Sequence, residues 1–223
     1  MQQSLSTIFL DLDGTLIESV GIKDHAFQEL FSDMPEFLPD IMDYHLSHNA
    51  TVRFDKFKYI YKNILKTNLS PETEENLATR FSKIVVNKIL ATENTPGAEA
   101  FLDYFVRHVQ LVLISVTPDQ ELEQIVQGRG LSSYFHTVYG ASWKKDDAMR
   151  HFMKLNNIKS ENCAFIGDTA EDYSYAQKVS IQFVGRDSGK TFPQKPDHLY
   201  KDMNDIMILL QKKYDLEARQ AEK

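Results

Sequence analysis

Cysteine is almost absent from this chain of 223 residues. The single Cys163 has no intrachain partner, which excludes a disulfide-stapled scaffold and fits a reducing compartment. Long apolar runs are missing as well. Leu111-Val112-Leu113-Ile114 is strand-sized, far short of the roughly 18–20 apolar residues a membrane helix needs. Met1-Gln2-Gln3-Ser4 carries neither the basic stretch nor the apolar core of a signal peptide, so the expectation is a soluble cytoplasmic protein with no membrane partner. Basic charge is in deficit, with 25 Lys and Arg against 32 Asp and Glu and a net charge of −7, which argues against a broad nucleic-acid-binding face. No repeat or low-complexity segment appears.

What is present is the balance of a globular chain, 42% hydrophobic and 26% charged, long enough for one large or two small domains. Strand and helix patterns alternate, which predicts a parallel sheet. Thr7 to Leu12 reads as a buried strand running into the turn Asp13-Gly14-Thr15, and Val109 to Ser115 as a second. Shorter strands are expected at His136 to Tyr139, Cys163 to Ile166 and Ile181 to Val184. Between and after them come helical patterns at Gly97 to Arg107, Asp119 to Gln127, Asp146 to Asn156, Ala170 to Lys178 and Met203 to Lys213, with a charged tail, Glu217 to Lys223, expected to fray.

One region breaks the alternation. From about Val20 to Thr92 only helical periodicity is visible. One helix is predicted over Thr51 to Lys66, with Phe57, Ile60, Tyr61 and Ile64 on one face. Another starts at Ser70-Pro71, an N-cap serine followed by proline at the first helical position. Such an insertion is too long for a crossover connection, so residues 17–92 are expected to form a helical domain inserted into a core of residues 1–16 and 93–223.

The chemistry concentrates at strand ends. Asp11 and Asp13 stand two residues apart at the end of a hydrophobic strand, where open α/β sheets bind ligands and where paired carboxylates need a cation or hydrogen bonds. By itself Asp13-Gly14 also suits a solvated turn. A second acidic pair, Asp168 and Asp172, follows the strand Cys163 to Ile166; Asp168 alone would serve as a helix cap. Together the two strand ends would build an oxygen-rich site of the kind Mg²⁺ prefers. Ser115 ends a strand with a hydroxyl available for a phosphoryl oxygen. Lys145 opens a helix, where the macrodipole disfavours a cation, and that points to a ligand role; Lys144 is the alternative. On the Thr51 to Lys66 wheel, Arg53 borders the apolar stripe and Lys56 lies just beyond it, so both are candidate substrate contacts, with packing as the alternative. His45 and His48 have metal-pair spacing but lack a third ligand.

These elements occur in the order Asp11-x-Asp13-Gly14-Thr15, Ser115, Lys145, Gly167-Asp168-x-x-x-Asp172, and in that order the chain resembles the haloacid dehalogenase superfamily, in its phosphatase branch with a helical cap after the first motif. The resemblance implies a Rossmann-like α/β core with an inserted all-helical cap that supplies specificity. It implies a Mg²⁺-dependent phosphatase of a small phosphorylated metabolite, acting through an aspartyl-phosphate as a monomer or homodimer. In that scheme Asp11 is the nucleophile, Asp13 the general acid and base, and Ser115 and Lys145 the phosphate clamp. Mg²⁺ is held by Asp11, Asp13 through its carbonyl, and Asp168, with Asp172 completing or orienting the shell and Thr15 positioning Asp13. The chain departs from the pattern after Ser115, where Val116 replaces a frequent asparagine and Thr117 shares the Ser115 side. A phosphomutase using the same intermediate, and a phospho-accepting signalling module, are the competing readings.

Overall fold

The computed structural model describes residues 4–48 and 51–214, so the readings of Met1 to Gln3 and of the tail at 217–223 lie outside the described residues. The chain divides into two compact units, Met1–Ser19 with Thr92–Lys223, and Val20–Ala91.

The first unit is built on a six-stranded parallel sheet: β1 Thr7–Leu10, β2 Gln110–Ile114, β3 Thr137–Tyr139, β4 Cys163–Gly167, β5 Gln182–Arg186 and β6 Leu199–Tyr200. Their order is β3-β2-β1-β4-β5-β6. In such an order the connections turn from one side of the sheet to the other between β1 and β4, and the crevice beyond those two strand ends is where this architecture takes ligands. The strands are unbroken hydrophobic runs because both faces are covered; all four residues of β1 are buried. Register is tight at the centre, with Phe9 opposite both Val112 and Phe165, and Leu10 opposite Leu113 and Ile166. One face packs Phe9, Ile114, Phe165 and Phe183 against Met149, Phe152 and Val179, with Phe9 and Phe152 edge to face at 5.7 Å. The helices Ala98–Phe105 and Met203–Tyr214 pack on each other.

The second unit, among its described residues, is helical throughout: Ile22–Leu30, Leu38–Ser47, Arg53–Tyr59 and Pro71–Ala91. Phe27 gathers Phe31, Phe57, Phe81 and His45 into an aromatic core. The longest helix starts as its residues dictate, with Ser70 Oγ accepting from the Thr73 amide and Pro71 at the first position.

Two expectations need correction. The helix over Thr51 to Lys66 is shorter: it stops at Tyr59 and widens into a π-turn over Ile60–Ile64, where the Leu65 amide donates to the Ile60 carbonyl. Lys66, at φ 56, then ends it. A hydrophobic stripe has the same spacing on either side of one wide turn, so periodicity misses it. The strand expected at Ile181 to Val184 runs instead from Gln182 to Arg186, and the two-residue β6 beside it has too little pattern to announce itself.

Candidate active site

Asp11 follows β1 directly, and its amide donates to the Ile166 carbonyl of β4 at 2.9 Å, extending the ladder by one residue. The first-strand carboxylate is thereby brought level with the end of β4, where Asp168 stands. Asp11, Asp168 and Asp172 are all buried, and each offers a carboxylate oxygen within 4.8 Å of the others. Gly14, at φ 73, turns the chain away after Asp13 in a conformation that disfavours a side chain. Gly167 is required for a different reason. A Cβ there would stand 2.7 Å from the Cβ and Oδ2 of Asp172, so only glycine lets the helix start lie against the strand end.

Lys145 joins the two acidic segments. Its ammonium lies 2.9 Å from Asp11 Oδ1 and 2.7 Å from Asp172 Oδ1, and it is buried at the first position of the helix Lys145–Leu155. Lys144 is the exposed N-cap residue, so the structure brings Lys145, not Lys144, into the cluster. Asp168 does not cap the following helix. Thr169 does, accepting from the Asp172 amide while Asp172 Oδ2 accepts from the Thr169 amide and hydroxyl. Asp172 therefore has one oxygen in the cap and the other on Lys145.

Asp168 is fully buried; its Oδ2 accepts from Lys190 Nζ at 2.7 Å, and its Oδ1 has no hydrogen-bond partner among the described residues. A buried carboxylate oxygen without a donor is costly unless a cation meets it. The donors that converge here are all oxygens, the set that suits a hard divalent cation.

The electrostatics follow from burial and crowding. Burial pushes Asp11 up to about 7; Lys145 opposes that rise, while Asp172, Asp168 and Asp13 add to it. Burial likewise raises Asp168, as does Asp172, against the pull of the Lys190 ammonium and the nearby Ser188 hydroxyl, which stops short of hydrogen-bond geometry. For Lys145 burial acts to lower the pKa, but Asp11 and Asp172 outweigh it and the ammonium is held charged.

Asp13 is held from two sides, accepting from the Ser19 hydroxyl at 2.6 Å and the Thr117 hydroxyl at 3.2 Å. Thr15, expected to position it, is buried with a hydroxyl that makes no hydrogen bond among the described residues. Ser115 lies just past β2, buried, its oxygen accepting from the Thr117 amide at 3.1 Å. Val116 between them is exposed, so Thr117 stands on the Ser115 side and binds Asp13.

A model of haloacid dehalogenase-like hydrolases matches residues 8–186 of the chain. The chain belongs to that family. Among similar proteins, a phosphoglycolate phosphatase of Colwellia psychrerythraea is 23% identical, covering 94% of this chain and 99% of its own. Pyrophosphatase PpaX of Listeria innocua is 21% identical over 94% of this chain and 98% of its own. Of solved structures, a predicted phosphoglycolate phosphatase from Haemophilus somnus superposes with a TM-score of 0.73 at 16% identity, covering 95% of this chain and all 100% of that one, a likeness of fold. The hydrolase family's match spans every strand but β6.

Within this hydrolase the remaining candidates lie in the helical unit. Arg53 donates to Ser82 Oγ at 2.7 Å and stacks over the Phe81 ring at 5.0 Å. Lys56 is buried, and its ammonium donates to His45 Nδ1 at 3.0 Å and to the His45 carbonyl at 3.3 Å. His45 Nε2 faces Asp24 Oδ1 at 2.8 Å. An ammonium only donates and a carboxylate only accepts, so His45 is the neutral tautomer with its proton on Nε2. The hydrogen-bonding groups that sequence reasoning missed are Ser19, Thr169 and Lys190, while Thr117 was placed beside Ser115 but not on Asp13. Only Thr169 carried a local signal, as Thr three residues before an acid at a helix start. No helix among the described residues is long and apolar enough to cross a membrane.

Proposed function

We propose that this hydrolase is a Mg²⁺-dependent phosphatase of a small phosphorylated metabolite, with Asp11 as nucleophile and Asp13 as general acid and base. The observation that carries the reading is the convergence of Asp11, Asp168 and Asp172 within 4.8 Å, with Lys145 at 2.9 and 2.7 Å from two of them, at the turning point of the sheet.

An Asp11 carboxylate oxygen attacks phosphorus, forming an O–P bond as the bond to the leaving oxygen breaks. Asp13 gives that oxygen a proton, then takes one from the water that attacks the phospho-aspartate, releasing inorganic phosphate and restoring Asp11. Ser19 and Thr117 aim Asp13 for both proton transfers. Lys145 and Ser115 hold phosphoryl oxygens where negative charge grows. Asp11, the Asp13 carbonyl and Asp168 would hold Mg²⁺, with Asp172 fixing Lys145 beside them. The bound ion would supply Lewis-acid stabilisation and shield Asp11 from the anionic substrate. Arg53 enters as a contributor to substrate choice, whereas Lys56, committed to His45, serves the fold of the helical unit.

The test is a phosphate-release screen with Mg²⁺ over phosphorylated metabolites, including phosphoglycolate and inorganic pyrophosphate, the substrates in the relatives' names. One or a few compounds should be turned over, and Asp11→Asn should abolish turnover with the fold intact. Arg53→Ala should raise KM for the preferred compound more than for an aryl phosphate. Phosphoryl return to a sugar phosphate, dependent on a sugar bisphosphate, would make the protein a mutase. Near-normal turnover by Asp11→Asn would overturn the nucleophile assignment.

A further inference from the structure

Lys190 is outside the set of residues that the motifs single out, yet it reaches the most deeply buried carboxylate of the site. Its own side chain is 39% exposed, while Asp168 is 0% exposed. The approach is prepared by the fold. Arg186 at the end of β5 is buried, donating to the carbonyls of Gly14 at 3.1 Å and Lys201 at 3.2 Å and pairing with Glu18. From that fixed point the chain turns: the Gly189 amide donates to Asp187 Oδ1 at 3.1 Å, and Gly189 adopts φ +87, a region open to glycine. The next residue, Lys190, is directed back onto Asp168 Oδ2 at 2.7 Å.

The two carboxylates that flank the central strands are thus treated alike. Asp11 has one oxygen on Lys145, and Asp168 has one oxygen on Lys190. Each clamp restrains rotation about the Cβ–Cγ bond. On Asp168 it leaves Oδ1, the oxygen with no hydrogen-bond partner, as the atom open to a ligand. The charge count points the same way. Four carboxylates, of Asp11, Asp13, Asp168 and Asp172, stand against two ammoniums, a deficit matched by one divalent cation.

We infer that Lys190 is a positioning residue for metal binding, pinning Asp168 Oδ2 so that Oδ1 is presented to Mg²⁺. The inference rests on the proposed Mg²⁺-dependent reading. A donor that orients a ligating carboxylate typically accounts for 10–100-fold in metal affinity, so about tenfold is expected for one exposed lysine.

The test is a calorimetric titration of Mg²⁺ into the full chain as wild type, D168A, K190M and K190R. Wild type should bind one ion and D168A should lose it. K190M should bind about tenfold more weakly, and K190R, which keeps a donor and a positive charge, should recover most of that loss. Circular dichroism and thermal midpoints in chelator report whether each variant is folded. Unchanged or tighter Mg²⁺ binding by K190M would overturn the inference and leave Lys190 a surface counter-ion. A wild type that binds no Mg²⁺ would remove the metal reading and this inference together, whereas wild-type binding that K190M leaves intact removes the inference alone.

Discussion

Each unit of this hydrolase buries a lysine, and the two burials are opposite in kind. Lys145 in the α/β unit lies between two carboxylates, and they hold it charged despite burial. Lys56 in the helical unit has two acceptors that are both uncharged, a ring nitrogen and a carbonyl of His45, and burial lowers its pKa. The Asp24 carboxylate stands on the far side of His45 and only partly opposes that fall. The chain Lys56–His45–Asp24 pairs donors with acceptors along its length. The Lys145 cluster leaves acceptors over, Asp168 Oδ1 above all. A polar network closed on itself specifies a packing arrangement, whereas one with surplus buried oxygen is arranged for a further cation. That contrast separates the lysine proposed for catalysis from the one proposed for packing without reference to motif.

Removing each lysine sharpens the contrast most. Lys145→Met leaves buried carboxylates uncompensated and should cost about 3–5 kcal/mol of stability, as breaking a buried ion pair does. In whatever fraction stays folded, kcat should fall by roughly 10²–10³, the effect of removing one donor to a developing anion. Lys56→Met leaves only a ring nitrogen and a carbonyl without a donor, about 1–3 kcal/mol, with kcat close to wild type. Paired denaturation and steady-state measurements check both. Equal kcat losses in the two variants would erase the distinction.

A smaller effect distinguishes the helical unit by pH. Burial lowers the His45 pKa, which its Asp24 hydrogen bond only partly offsets. The unfolded chain therefore takes up a proton near the ordinary histidine value, about 6.5, that the folded unit resists. Stability from neutral His45 is full above that pH and declines as pH falls through it toward the lower folded value. Protonation would set a second cation against Lys56. The expected outcome is faster amide exchange over residues 20–91 at pH 5.5 than at pH 7.5, after correction for intrinsic rates, and a weaker pH dependence in His45→Gln. Identical protection at both pH values in wild type would contradict it.

How much of this was readable beforehand depended on whether the signal was local. β1, β2 and β4 announce themselves because a strand covered on both faces is an unbroken apolar run. Ala170–Lys178 was readable to the residue from its helical pattern after a strand end, but its cap was not, because Asp168 offered itself where Thr169 and Asp172 close the turn. Lys145 was visible through its misfit at a helix start, and Asp11, Asp13 and Asp168 through carboxylates at the ends of hydrophobic strands. Arg186 was not, because an arginine ends an apolar pattern, and only Gly14, Glu18 and Lys201 make its burial acceptable. Lys190 and Thr117 act on acids 22 and 104 positions away, partnerships the assembled sheet creates. A helical wheel placed Lys56 at the rim of a stripe and had no means of showing His45, on a neighbouring helix, receiving its ammonium.

In the proposed mechanism Asp11 becomes phosphorylated during turnover, and trapping reports on it directly. The full chain, mixed with Mg²⁺ and a compound it hydrolyses, is quenched in acid during steady state, and its peptides are weighed by mass spectrometry. A phosphoryl group is expected on the peptide carrying Asp11, absent from Asp11→Asn and lost on mild base treatment as an acyl phosphate is. Steady hydrolysis with no phosphoryl group on that peptide, or with the group on another residue, would contradict it.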